Sequence, residues 1–236
     1  MSNFNKAVFR GTKGIVLHKQ LLSRKFSKIK EYVHETKSLI EKKHNELEEH
    51  VGGELEGIED ATTASNIIEF YNEDFNKYEN TYTELLMNST FITAFSTFEH
   101  SFYRICQYAK NQKKAMVSVN DLSGNGIIVK CKKYIEKVIE LDLSTLNKDW
   151  QELTYYNKIR NVLVHNAGSF KKEKTKPIEK QELYSFITNN PLIKQKNEKH
   201  GYFYIDNSQF IIEFCEKAEK YLLHIADLVL QVKKEV

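Results

Sequence analysis

Proline is nearly absent from this sequence, two residues in 236, and glycine is scarce at nine. Together they make up less than half of the roughly 12% that globular proteins average. A sandwich or barrel needs a turn residue every ~8–12 positions, so an all-β fold is excluded. The three cysteines, Cys106, Cys131 and Cys215, stand far apart with no C-x-x-C pair. That removes a disulfide scaffold and a cysteine-rich zinc site. A dominant charge is lacking too, since 35 basic residues face 32 acidic ones for a net +3. No global field for a polyanion results, and any contact with nucleic acid has to rest on a local patch. The first residues, Met1 to Lys6, lack the apolar stretch of a secretory signal. The run from Tyr221 to Val232 is broken by His224, Asp227 and Gln231 and falls short of the ~20 residues of a membrane span. These absences point to a soluble, reduced, cytoplasmic protein with no membrane partner.

What is present is helix. Aromatic residues at 12% and hydrophobic residues at 41% suffice for a packed core. Residues 19–50 read as a long polar helix carrying Leu22, Phe26, Ile29, Val33 and Leu39 among many Lys and Glu, and Gly52-Gly53 is the expected stop. A linker to Asn66 follows, where Asn66 and Glu69 resemble a capping box at the head of a helix reaching about Met87. Phe91, Phe95, Phe98, Phe102 and Ile105 then repeat at steps of three and four, one apolar stripe at helical period. Further helices are expected around Tyr134–Ile139, over Leu143–Val164 and over Glu179–Thr188. A final one is expected to be capped by Asp206 and Gln209, after a hairpin within 192–206. The predicted fold is all-α, a helical bundle with a long N-terminal helix and a minor β-hairpin near the C-terminus.

Most motifs with chemistry are missing. Gly124-Asn-Gly126 has no Gly-Lys-Ser/Thr behind it and reads as a turn. No H-E-x-x-H, no G-x-S-x-G and no carboxylate pair at metal-binding spacing occurs. No metal and no cofactor are therefore expected. One constellation remains, Lys158-Ile-Arg160-Asn161-Val-Leu-Val-His165-Asn166-Ala-Gly168. Asn161 and His165, four apart, share a helix face, and the long side chain of Arg160 can curl toward it. The plain alternative is that Arg and His near a helix C-terminus complement its dipole.

Arg160, Asn161 and His165, with four residues between the Arg and the His at a helix end, resemble the signature of the HEPN superfamily. The stretch Phe91 to Glu99 is similar to the helix that packs against the motif helix in that family. The resemblance covers residues 66–232 and divides the chain into an N-terminal helical extension, 1–65, and a HEPN-like helical domain, 66–236. It implies a domain of four or five helices that dimerises to bring two motifs together. Many members are metal-independent endoribonucleases of toxin–antitoxin and anti-phage defence systems. Arg160 and His165 would then be catalytic and Asn161 supportive, with RNA as substrate and an antitoxin or defence-system protein as a partner. The family's other course is a non-catalytic module that binds a nucleotide or a protein. Ala167 stands where members restrained by a nucleotidyltransferase antitoxin carry a modified Tyr, a departure that counts against that route of inhibition.

The chemistry of these side chains fits such a reaction. The RNA 2′-hydroxyl attacks the adjacent phosphate, so no external nucleophile is needed. Imidazoles trade protons near neutral pH, worth about 10²–10⁴-fold, and a guanidinium offers a planar fork of donors to the developing charge. Asn161 is expected to fix the His ring or to hold a phosphate oxygen. Glu99, at the border of the apolar stripe between Phe95 and Phe102, either pairs with Arg160 and orients it or points into solvent. Lys158 and the loop lysines Lys171, Lys172 and Lys174 are the candidate RNA contacts, with Tyr155 and Phe170 as stacking rings and Tyr156 as a core residue. A homodimer is expected to supply a second His as acid, its interface drawn from 67–102 and 202–228.

Overall fold

The computed structural model of the chain describes residues 12–170, 178, 182–197 and 201–232. Helix α1 spans Thr12–Leu55 and α2 spans Ala61–Asn76, which a π-helical stretch at Lys77–Thr81 joins to α3, Tyr82–Lys113. Then come α4 (Ile127–Lys137), α5 (Asn147–Asn166), α6 (Glu182–Thr188), the strands β1 (Ile193–Asn197) and β2 (Tyr202–Ile205), and α7 (Ser208–Gln231). The strands pair antiparallel, Ile193 opposite Ile205 and Gln195 opposite Phe203, with a bulge before Asn197. The fold is all-α with a minor hairpin. Among the described residues no helix is long and apolar enough to cross a membrane.

Several helix boundaries differ from expectation. No helix ends near Met87, because α3 runs unbroken from Tyr82 through the Phe91–Ile105 stripe to Lys113, and α1 begins at Thr12 rather than near residue 19. Helix α1 runs through Gly52 and Gly53 to Leu55. Each glycine costs about 1 kcal/mol relative to Ala, too little to break a 44-residue helix, and the left-handed turn falls at Gly57 (φ 79°). Asp60, not Asn66, caps α2. Its carboxylate accepts from Thr63 N at 2.8 Å and Thr63 Oγ at 2.6 Å, which satisfies an amide that has no partner in the first turn, and Asn66 lies inside the helix. At α7 the cap is Asn207, whose Oδ1 accepts from Gln209 N at 2.9 Å, while Asp206 is drawn to Lys194 at 3.1 Å.

Two compact units emerge, with boundaries inside α1, α3, α5 and α7. The first comprises the chain up to Ile29, Ile92–Asn161 and the chain from Ile212. Its core is aromatic. Phe95, Phe98 and Phe102 of α3 are wholly buried. The Phe95 ring stacks on Phe214 of α7 at 5.4 Å and Phe102 meets Tyr221 edge-on at 5.8 Å. From α5, Tyr156 reaches Phe214 at 5.1 Å and Trp150 stacks on Tyr221 at 5.9 Å. Each such ring contributes about 1.5–3 kcal/mol by burial. The second unit comprises Lys30–Phe91 and Val162–Ile211. Its hairpin is fastened to α3, where Asn88 Oδ1 accepts from Ile205 N at 3.1 Å and Glu84 accepts from the Tyr202 hydroxyl and from Lys196. Phe170 and Phe203 pack at 5.5 Å.

Gly168 (φ 82°) sits so close to β2 that an added Cβ would lie 2.4 Å from Phe203 O. Nothing lies within 4 Å of the corresponding position at Gly52 or Gly53. Gly168→Ala is therefore expected to lose at least ~2 kcal/mol through left-handed strain and backbone collision. Gly52→Ala and Gly53→Ala are each expected to gain about 0.5–1 kcal/mol, and urea unfolding reads both signs. A pH dependence follows from His18, 9% exposed against the Tyr108 ring. Burial, with Arg104, Lys25 and His100 adding to it against a lift from the Ser101 backbone, pushes its imidazole down to about 4. The unfolded chain takes up that proton first, so this stability is whole above pH 6.5 and drains away between 6.5 and about 4. A slope of at most about 1.4 kcal/mol per pH unit is expected and should be absent from His18→Leu.

Candidate functional site

Helix α5 buries Leu153, Tyr156 and Ile159 along one side, a three-residue spacing that fixes its rotation. Arg160, next in sequence, is thereby placed at the margin of the core, with 22% of its side chain exposed. Its guanidinium lies over the Phe95 ring, Cζ 5.7 Å from the centroid. Nη2 donates to Glu99 Oε2 at 3.0 Å and Nη1 donates to Asn161 Oδ1 at 2.9 Å. Nε is buried with no partner among the described residues. Phe95 and Glu99, one turn apart on α3, thus give the cation a ring to lie on and a carboxylate to face.

The pairing of Glu99 with Arg160 answers the alternative left open by sequence. Burial pushes the Glu99 carboxyl up, and Arg160 pulls it back down. A half-buried carboxylate is costly without a cation, and the cation is held in one plane by meeting it. The Asn161 amide oxygen accepts from Arg160.

His165 stands exposed in the last turn of α5, one turn beyond Asn161. After it the backbone leaves the helix through two left-handed residues, Ala167 (φ 47°) and Gly168, with Gly168 N donating to Val162 O at 3.3 Å.

Of the other candidates, Lys158 is exposed with its Nζ 4.8 Å from the Tyr155 ring centroid. Lys171, Lys172 and Lys174 lie outside the described residues. Phe170 is 5% exposed against Tyr184 and Phe203 and is unavailable to a base, contrary to expectation. Its apolar neighbours in the hairpin took it into their core. Tyr156 is a core residue as expected. The stretches from which an interface was to be drawn are largely consumed internally, since Phe95 to Phe102 and Phe210 to Ile225 line the core. Ile68 at 51%, Phe70 at 78% and Leu85 at 62% remain exposed. Sequence reasoning missed Phe95 as the surface beneath the guanidinium, although its spacing of four from Glu99 is the signal that could have found it.

Among the described residues no group of three His, Cys, Asp or Glu side chains gathers where a cation could be held. Comparison of the chain with protein-family models, with curated proteins and with solved structures found no match.

Arg160→Ala is expected to lose about 1–3 kcal/mol, because it strands the Glu99 carboxylate. Adding Glu99→Gln should restore most of that loss, whereas the two costs would simply add were the residues independent. Urea unfolding of the two single variants and the double variant measures the coupling.

Proposed function

We propose that this chain is a metal-independent endoribonuclease of a bacterial toxin or anti-phage defence system. The observation that carries the reading is the guanidinium of Arg160, held in a fixed plane by Glu99 and Asn161 on the helix whose last turn carries exposed His165. The resemblance of Arg160-Asn161-x-x-x-His165 to the HEPN motif supplies the reaction class.

In this reading His165 removes the proton of an RNA 2′-hydroxyl, and the freed oxygen attacks the adjacent phosphorus. Arg160 donates to the non-bridging oxygens as charge builds there. The bond to the 5′-oxygen breaks and that oxygen takes up a proton, leaving a 2′,3′-cyclic phosphate and a 5′-hydroxyl. The fixed plane of the fork means that little reorganisation is needed as the charge forms. Glu99 and Asn161 are positioning residues, acting through Arg160. Lys158 adds a phosphate contact beside the motif. A two-fold dimer supplies the second His as the acid for the leaving oxygen, and a defence-system protein is the partner that restrains or triggers it.

The purified chain should cleave single-stranded RNA in excess chelator and yield cyclic-phosphate ends. RNA with methylated 2′-hydroxyls should resist. His165→Ala should lower the rate at least about 10²-fold while shifting stability by no more than ~0.5 kcal/mol, as an exposed side chain should. Light scattering should give about twice the chain mass. Cleavage undiminished in His165→Ala, or cleavage strictly dependent on an added divalent ion, would overturn the reading. Binding without cleavage would move the chain to the non-catalytic class.

A further inference from the structure

The chain begins basic and then turns acidic. From Gly14 to Lys30, in the first half of α1, it carries five Lys and Arg residues and no Asp or Glu. Leu21, Arg24, Lys25 and Lys28 stand at steps of three, four and seven, so they share one helix face. All four are exposed, Leu21 by 39%, and none of the three cations makes an ion pair among the described residues. On α3, in the same unit, His100 and Arg104 enlarge the cluster. Both act on the buried His18 as like charges, as Lys25 does, and every charge that bears on His18 and His100 is cationic. Like charges one turn apart, as in Arg24 and Lys28, work against a helix, and an anionic surface is the complement.

The second unit carries such a surface. Between Glu31 and Thr90 fifteen acidic residues face four lysines and no arginine. Helix α2, within that stretch, buries none of its 16 residues. A helix of that length is marginal without packing, and its Phe70 ring is 78% exposed. Glu69 and Glu73, four apart, and Phe70, three before Glu73, share one side of α2. Both carboxylates are exposed and make no ion pair among the described residues. They repeat the like-charge arrangement of α1 with the sign reversed.

Each surface thus sets unrelieved charge beside one apolar side chain, cations about Leu21 and carboxylates about Phe70. A nucleic-acid backbone would satisfy the first and be repelled by the second. A second copy of this chain satisfies both. We propose that the Leu21–Lys28 face of one copy docks on the Glu69–Glu73 side of α2 in another. Arg24, Lys25 and Lys28 meet Glu69 and Glu73, and Phe70 lies against Leu21. The contact joins unlike surfaces, so it closes as a pair when repeated about a two-fold axis and otherwise runs head to tail. Exposed ion pairs are individually weak, which makes the association dependent on concentration and sensitive to salt. It differs from the pairing of two His165 motifs, uses no residue of the Arg160 site and does not rest on the ribonuclease reading.

Sedimentation equilibrium of the full chain over a range of concentrations tests it, with two charge-reversed variants. One carries Arg24→Glu, Lys25→Glu and Lys28→Glu, the other Glu69→Lys and Glu73→Lys. At about 0.1 M salt the wild-type mass should rise with concentration above that of either variant, whose association is weakened at least about tenfold. An equimolar mixture of the two variants should regain the wild-type mass, because each supplies the charge that the other has lost. Raising the salt to about 1 M, where exposed charges reach only about 3 Å, should bring the wild type down to the variants. Phe70→Ser should weaken the association without changing its salt dependence. Every substituted side chain is exposed, so the folds should hold, and Lys25→Gln with Lys28→Gln, which reverses nothing, should give an intermediate mass. His165→Ala should associate as the wild type does, which separates this contact from the cleavage reading. A wild-type mass indifferent to salt and to both reversals overturns the proposal. So does a mixture that keeps the mass of its separate components. Self-association unchanged in the triple variant while its affinity for RNA falls also overturns it, and gives the basic face to nucleic acid.

Discussion

The rotation of α3 about its own axis governs the first unit. Phe95, Phe98 and Phe102 all point into the aromatic core formed with Phe214 and Tyr221, and a helix advances about 100° per residue. With those three fixed inward, position 99 falls beside 95 and 102, at the edge of the buried stripe. A polar residue there is half-desolvated whether or not it has a partner. Glu99 occupies the position, and its raised proton affinity is the cost of the aromatic packing around it. Arg160 offsets that cost because α5 is locked by the same core, Tyr156 lying against Phe214. The ion pair is thus downstream of the aromatic contacts and owes its geometry to them.

An exposed arginine samples many rotamers, and ordering its side chain costs up to about 2 kcal/mol. Here the ordering is supplied by three contacts that serve folding first: a ring beneath, a carboxylate at one nitrogen and an amide oxygen at the other. Two of the three come from α3, and the third comes from the next residue on α5. In the ribonuclease reading, a guanidinium fixed in this way would meet the developing oxyanion with its entropy already lost. Among the described residues the buried Nε of Arg160 has no partner.

What the sequence revealed, and what it hid, divides along distance in the chain. The stripe from Phe91 to Ile105 was legible because its period lies within one element. The end of α5 was legible to within two residues, Val164 expected and Asn166 observed, because Gly168 stands close by in the chain. Gly52-Gly53 misled because a glycine pair ends a helix only when something else also ends it, and α1 continues at a modest cost. Asn66 misled because Asp60, an equally good cap, stood six residues earlier. The Glu99–Arg160 pair spans 61 positions, so sequence could set out its two possibilities but not choose between them.

The exit from α5 shows how far tertiary contacts reach toward His165. Alanine pays about 1–2 kcal/mol to adopt a left-handed conformation, and Ala167 adopts one directly before Gly168. A helix free to choose its end would place glycine first. The order is reversed because Gly168 is required one step later: its carbonyl accepts from Phe203 N at 3.0 Å, and its Cα faces Phe203 O with no room for a Cβ. The hairpin therefore dictates where α5 stops, and the strain at Ala167 is accepted to meet it. The hairpin is in turn fastened to α3 through Glu84 and Asn88. His165 stands exposed in the final turn before that exit. In the ribonuclease reading this makes β2 part of the scaffold of the reaction, although nothing on β2 would take part in the chemistry.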